Sequence, residues 1–533
     1  GGQRGACYNR AMNHMEERPV RLGFWAVLLF GVFAWAPAAY PGYWQALEGF
    51  IPVFNVVQSS AIAGVATSAD VWRGTGSATY LPAQPLLLLD ASPTAAVRGV
   101  WILIFVLCGL GMYVWLRPRW GDRAAGLAGL IYMLWPPLLA TAYVRGSLAD
   151  AMILALLPMA LAGAASYAET DSRSAAGVLV LSVLWMWRVQ AGLAVAATLL
   201  LLVYVLAVER SLLAALAVGV SGAAGFTSLI PLWHVRGQTP VAFFDHFIYV
   251  YQLFGDGWEI APSVPGWQDG YPFQLGFVAL AFSIGAVWLW RRDAIVWRGT
   301  APDRLMWFCL GGALALILLS LNVSAPLWRI TRADRLFTYP WQMLLLAGPL
   351  LAALAGSLPA LSLSLRRPLL WTVLTGLVVL ASYPYLTTAF TQVEPPPSPR
   401  AVFGGNNEIV LLSAALTEDR AAQEAQLDVT WQVLQPLPFD YNVFFQALAE
   451  GEGEPQVVSQ LDAQPLQGER PATTWVPGEI FTDTYTLDLA ATGAQVPDAT
   501  SSLRYDFGYY DWRDGSRLPI DGGIDDKLIL YGR

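Results

Sequence analysis

Residues 97–116, VRGVWILIFVLCGLGMYVWL, hold a single charge, Arg98, and are followed at once by Arg117 and Arg119. At about 1.5 Å per residue a helix of that length crosses the roughly 30 Å hydrocarbon layer of a bilayer. The stretch therefore reads as a transmembrane helix ending at a basic boundary. Comparable apolar runs fall near 22–40, 124–142, 149–167, 174–187, 190–208, 211–232, 274–290, 305–322, 338–357 and 369–389, so the expectation is about eleven spans. The 174–208 region has two readings, because Arg188 either divides it into a short hairpin or marks a polar break in one long helix.

Composition agrees with this. Of 533 residues, 56% are hydrophobic and only 13% charged, about half the charged fraction of an average soluble domain. The net charge of −8 is a sum of two unlike parts. Residues 1–400 carry 24 Arg and Lys against 18 Asp and Glu, whereas residues 401–533 carry 7 against 21. A basic apolar body is thus joined to an acidic polar tail. Cysteine is too sparse for a zinc or CxxC site, and none of Cys7, Cys108 and Cys309 lies in the tail.

Arginine bias sets an expected orientation. With residues 1–21 in the cytoplasm, 15 of the 24 basic residues of the body fall on cytoplasmic segments. An odd number of spans then exports the tail from a multi-pass protein of the cell membrane. Residues 16–40 also have the pattern of a secretory leader. They read better as an uncleaved first span, because cleavage would upset the charge alternation, and the stretch before Met15 reads as upstream sequence or disorder. The body spans 22–390 and has three long outer loops, 41–96, 233–273 and 323–337. They are rich in Trp, Tyr, Phe and Pro, and so read as ordered segments in the membrane interface.

A linker is expected over 391–424, opening with VEPPPSPR at 393–400. Alternating runs at 427–434, 441–448, 479–489 and 503–512, separated by Gly, Pro and Asp clusters, then predict an antiparallel β-sandwich over 425–533. The fold class expected is an α-helical polytopic membrane protein with a C-terminal β-sandwich. No Walker, GxGxxG or CxxCH pattern and no DxDxDG calcium loop occurs. Nothing suggests a nucleic-acid partner.

Three segments carry a family resemblance. Tyr143-Val144-Arg145-Gly146-Ser147-Leu148-Ala149-Asp150 precedes a helix containing Leu157-Pro158; Tyr271-Pro272-Phe273-Gln274-Leu275-Gly276 opens one late span and Phe337-Thr338-Tyr339-Pro340-Trp341-Gln342 another. In order and spacing they resemble the bacterial membrane proteins labelled 6-pyruvoyl-tetrahydropterin synthase-related, whose membrane part resembles GT-C polyprenyl-phosphate-sugar glycosyltransferases. The tail, with WQVLQPLPFDYNVFFQAL, TTWVPGEIFTDTY and FGYYDWRDGSRLP, resembles the β-sandwich attached to membrane glycosyltransferase-like proteins of Chloroflexi-type bacteria. The resemblance implies transfer of sugar from a polyprenyl-phosphate donor to an envelope acceptor on the outer face, with inversion. The family's Gly-x-Asp-x-x-x-His pattern is lost here, with Ile51 and Asn55 in its acidic and histidine positions, and a polar His-Asn pair gives way to Trp187-Arg188. The rival expectation is accordingly a degenerate, non-catalytic subunit or scaffold of a larger envelope or energy-transducing complex. Its sandwich would dock protein partners. Export of polysaccharide or lipid is a third.

Sugar transfer needs a carboxylate to take the acceptor proton and cations to hold the leaving phosphate. Candidate catalytic carboxylates are Glu48, beside the degenerate motif, Asp70, next to Arg73 in a polar turn, and Asp150. Arg145 either meets a phosphate or pairs locally with Asp150, with Ser147 as helix cap. His246, in VAFFDHFIYVYQLF, pairs with Asp245 for structure or for acid–base service. Arg329, Arg332 and Arg335 recur every three residues and would share one helical face. That face would clamp a lipid phosphate or meet membrane lipids and the acidic tail. Three histidines in all do not support a histidine metal site; Asp256, Glu259 and Asp269 could hold Mg²⁺ with phosphate, and no cofactor is otherwise implied.

Overall fold

The computed structural model describes residues 21–44, 46–47, 52–53, 55–56, 77–228, 243–255, 257–258, 263–292, 299–386, 388, 390–391, 400–404, 408–419, 422–434, 436–449, 455–489, 503–521 and 526–531. The chain divides into two compact units. One is built from 1–40, 59–91 and 96–388, the other from 41–58, 92–95 and 389–533.

The first unit is helical. Its elements are α1 (Leu22–Ala39), α2 (Pro93–Trp120), α3 (Asp122–Met133), α4 (Pro136–Arg145), α5 (Leu148–Thr170), α6 (Arg173–Val189), α7 (Ala191–Glu209), α8 (Leu212–Gly225), α9 (Phe277–Arg292), α10 (Ala301–Ser320), α11 (Ala325–Thr331), α12 (Gln342–Leu361) and α13 (Pro368–Leu386). Seven helices are long and apolar enough to cross a membrane, namely α1, α2, α5, α7, α10, α12 and α13, and α3 with α4, bent by 40°, makes an eighth. The expected count of about eleven is therefore not reached among the described residues. The shortfall is one of length. Helices α6, α8 and α9 hold 17, 14 and 16 residues, or roughly 21–26 Å of helix, short of the hydrocarbon thickness. The 174–208 region contains two helices, parted at Gln190, which is extended at φ −154°. The buried Arg188, two residues before the break, donates to Thr227 Oγ1 at 3.1 Å.

Polar contacts fasten the helix ends. Asp122 accepts from the Gly23 amide at 2.6 Å and the Tyr113 hydroxyl at 2.7 Å, tying α1 and α2 to the start of α3. Arg119 pairs with Glu209 at 2.6 Å, joining the ends of α2 and α7. Among the candidate spans α5 and α12 are the most enclosed, and both open at the candidate site.

The second unit is antiparallel β. β1 (Tyr43–Trp44) pairs with β2 (Phe390–Thr391). The remaining strands are β3 (Ala401–Phe403), β4 (Ile409–Asp419), β5 (Glu424–Val433), β6 (Asn442–Ala449), β7 (Gln456–Ala463), β8 (Ile480–Asp488), β9 (Leu503–Tyr510), β10 (Ile520–Asp521) and β11 (Leu528–Tyr531). They form sheets of order β10-β3-β4-β5-β8 and β11-β9-β6-β7. The inner faces share one core, in which Phe403 and Trp431 of the first sheet meet Tyr509 of the second. The expected runs become β5, β6, β8 and β9. β3 and β4, by contrast, occupy 401–419, which had read as linker. A bulge between Leu411 and Ser413 breaks the two-residue alternation of β4, and that alternation is the signal by which a strand is read.

Candidate functional site

The chain between α4 and α5 turns sharply. α4 closes in a π-helical turn, Thr141–Arg145, and Gly146 follows at φ 77°, a left-handed conformation suited to glycine. Ser147 then stands at the N-cap of α5, but its side chain makes no capping hydrogen bond, unlike the cap expected. Asp150, in the first turn and fully buried, takes over the N-terminal negative charge. Its Oδ2 is paired with Arg145, as the local reading anticipated.

Gln342, the first residue of α12, was not singled out from the sequence, although it lies within a quoted motif. Its buried Nε2 donates to Asp150 Oδ2 at 3.2 Å, while its Oε1 accepts from the Thr338 and Tyr339 amides, each at 3.2 Å. The amide thus locks the 338–339 turn to Asp150. The other carboxylate oxygen, Oδ1, is buried without a hydrogen bond among the described residues, a costly arrangement for a charged acceptor.

Aromatic rings cover the ion pair. The Arg145 guanidinium lies 5.7 Å from the Tyr339 ring centroid and 5.4 Å from that of Trp341. Trp341 stacks with Tyr339 at 4.9 Å and Tyr271 at 5.0 Å. The far side of this cluster is His246, edge-on to Tyr339 at 5.2 Å. Arg145 and His246 are therefore two neighbours of one ring.

His246 does not pair with Asp245, its sequence neighbour. Its Nδ1 lies 2.9 Å from Ser263 Oγ, and that hydroxyl donates to Asp269 Oδ2 at 2.6 Å. The Tyr271 amide holds the opposite oxygen of Asp269 at 2.9 Å. With Asp269 ionised, the serine hydrogen is committed to the carboxylate, so Oγ accepts from Nδ1–H. Nε2 is then the unprotonated ring nitrogen, and no described residue bonds it. Burial lowers the His246 pKa, against the charges of Asp269 and Asp245, so the imidazole is neutral at neutral pH. Burial also pushes the Asp269 carboxyl above its usual range, opposed by its hydrogen bonds from Ser263 and Tyr271. Relays of this kind bring together residues 17 and 6 positions apart in a loop; adjacency in sequence pointed to the wrong carboxylate.

The three arginines do not share a continuous helical face. α11 ends at Thr331 because Arg332 is left-handed at φ 53°, and Ala333–Leu336 continues as a separate 3₁₀ turn. All three side chains are exposed, and none makes an ion pair with a described residue. Arg329 lies over the Phe244 ring at 5.0 Å, which places an unneutralised cation beside the segment bearing His246.

Glu48, Asp70, Asp256 and Glu259 lie outside the described residues. Among the described residues no three His, Cys, Asp or Glu side chains converge as a metal site. No family model, curated protein or solved structure matches the chain. The class defined by the fold is thus a helical protein with several candidate membrane spans and an antiparallel β domain.

Proposed function

We propose that the protein is a GT-C-like envelope glycosyltransferase, taking sugar from a polyprenyl-phosphate donor on the outer face of the cell membrane. The observation that carries this reading is the meeting of an arginine and a histidine relay at Tyr339. His246 Nε2 takes the proton of the acceptor hydroxyl as its oxygen bonds the anomeric carbon. The bond from that carbon to the phosphate oxygen breaks, and the electron pair leaves on the phosphate. Arg329, exposed and unpaired, receives that charge. Arg145, already neutralised by Asp150, holds the aromatic wall in place.

Full-length protein in vesicles with radiolabelled polyprenyl-phosphate hexose and an envelope acceptor fraction tests the assignment. Wild type should release polyprenyl phosphate, with His246→Gln losing about 100-fold or more, the usual worth of a proton-transfer group, Arg329→Ala losing about 100-fold from lost charge stabilisation, and Asp245→Asn near wild type. Full activity in His246→Gln would remove the relay from the mechanism.

A second reading, a non-catalytic membrane subunit, draws on the Arg145–Asp150 pairing, which spends both charges on each other, and on Ile51 and Asn55 at the family's motif positions. It predicts no transfer by wild type and a stoichiometric protein partner on native purification.

A further inference from the structure

Along most of α9, from Leu280 to Arg291, a groove runs between α9, α10 and α12. It measures about 490 Å³ and is walled by Leu280, Ile284 and Trp288 of α9, Leu314 and Ile317 of α10 and Leu351 of α12. The walls are apolar, and the groove is not covered by protein, since Ile284, Trp288 and Leu314 are 69%, 62% and 59% exposed. One end is closed by a cation. Arg291 lies 5.4 Å over the Trp307 ring and 5.8 Å over Trp290, while Arg292 lies 5.4 Å over Trp288. Arg291 forms no hydrogen bond or ion pair with a described residue.

These features match a lipid rather than a soluble ligand. From Leu280 to Arg291 the helix rises about 16 Å, close to half the roughly 30 Å hydrocarbon thickness. The groove therefore has the depth of one leaflet, with its basic end at headgroup level. Tryptophans beside arginine are the residues expected at that level, and the arginine selects an anionic headgroup. We propose that this groove binds one acyl chain of an anionic glycerophospholipid, its phosphate seated against Arg291. A polyprenyl chain would overrun a single leaflet. The site is independent of the sugar-transfer reading and requires only that α10 and α12 cross a membrane.

The test uses full-length protein in phosphatidylcholine vesicles doped with phosphatidylglycerol carrying a diazirine in its acyl chain. Photolysis should place cross-links on 280–291 and 310–317, about fivefold above those from the matching phosphatidylcholine probe, the worth of roughly 1 kcal/mol per arginine. Arg291→Gln should bring the two probes level while leaving elution volume and circular dichroism unchanged. Equal labelling by both probes, or labelling spread evenly over all lipid-facing helices, would overturn the proposal. So would stronger competition by polyprenyl phosphate than by phosphatidylglycerol, or a groove shielded by a second copy of the chain.

Discussion

Single residues differ in what they cost and what they supply. Burial lowers the His246 pKa below its ordinary 6.5, so the relay is intact above that pH. The stability tied to neutral His246 is fully present above 6.5 and is lost as pH falls through the depressed folded value. On the proposed sugar-transfer reading, the rate should follow the same acid limb. Asp269→Asn removes a charge that raises the His246 pKa, so the limb should move to lower pH while the rate falls; a limb that stays put would separate Asp269 from the histidine. In the β unit, Asp506 is 1% exposed between Arg504 and Lys527, each at 3.0 Å. Asp506→Ala strands both cations and should cost about 3 kcal/mol, seen as faster hydrogen exchange in β9 and β11. Arg145 and Asp150 were legible in the sequence because a turn of five residues joins them. Gln342, 192 positions from Asp150, and Ser263 were not, because nothing local marks a partner made by tertiary packing.

Elements form where periodicity is local and fail to be read where packing decides. The apolar runs revealed that helices exist, but a run does not say how much of it stays helical. α9 begins only after Gly276 at φ 85°, where an added Cβ would lie 2.9 Å from Pro136. The same blindness hides close approach. A Cβ on Gly126 of α3 would stand 2.4 Å from Gly23 Cα of α1, so these backbones touch. Gly126→Ala must push the helices apart and should cost about 1–3 kcal/mol. Gly177 in α6 has nothing within 4 Å, so Gly177→Ala should gain up to about 1 kcal/mol from helix propensity alone. Thermal unfolding of the two variants in one detergent distinguishes contact from propensity, and equal shifts would refute the close packing of α1 on α3.

At the scale of the whole molecule, charge is the property that reads furthest. The basic body and acidic tail suggest two environments, and the expectation from the arginine bias is a cytoplasmic Arg291 end of α9 and an exported β unit. Cysteine labelling can test this directly. Cys108 and Cys309 are fully buried, so neither competes for an impermeant maleimide. In a Cys7→Ser background, a cysteine replacing Gly299, exposed just before α10, should react only after the membrane is permeabilised. A cysteine replacing Ser516, exposed in the turn after β9, should react in intact spheroplasts. Reversal of the pair would invert the protein. Labelling of both in intact spheroplasts would mean that an even number of spans separates them, against the three long helices α10, α12 and α13. Because Gly299 and Ser516 are separated only by α10, α12 and α13 among the helices long enough to cross, the result depends on those three spans alone and not on the short helices α6, α8 and α9.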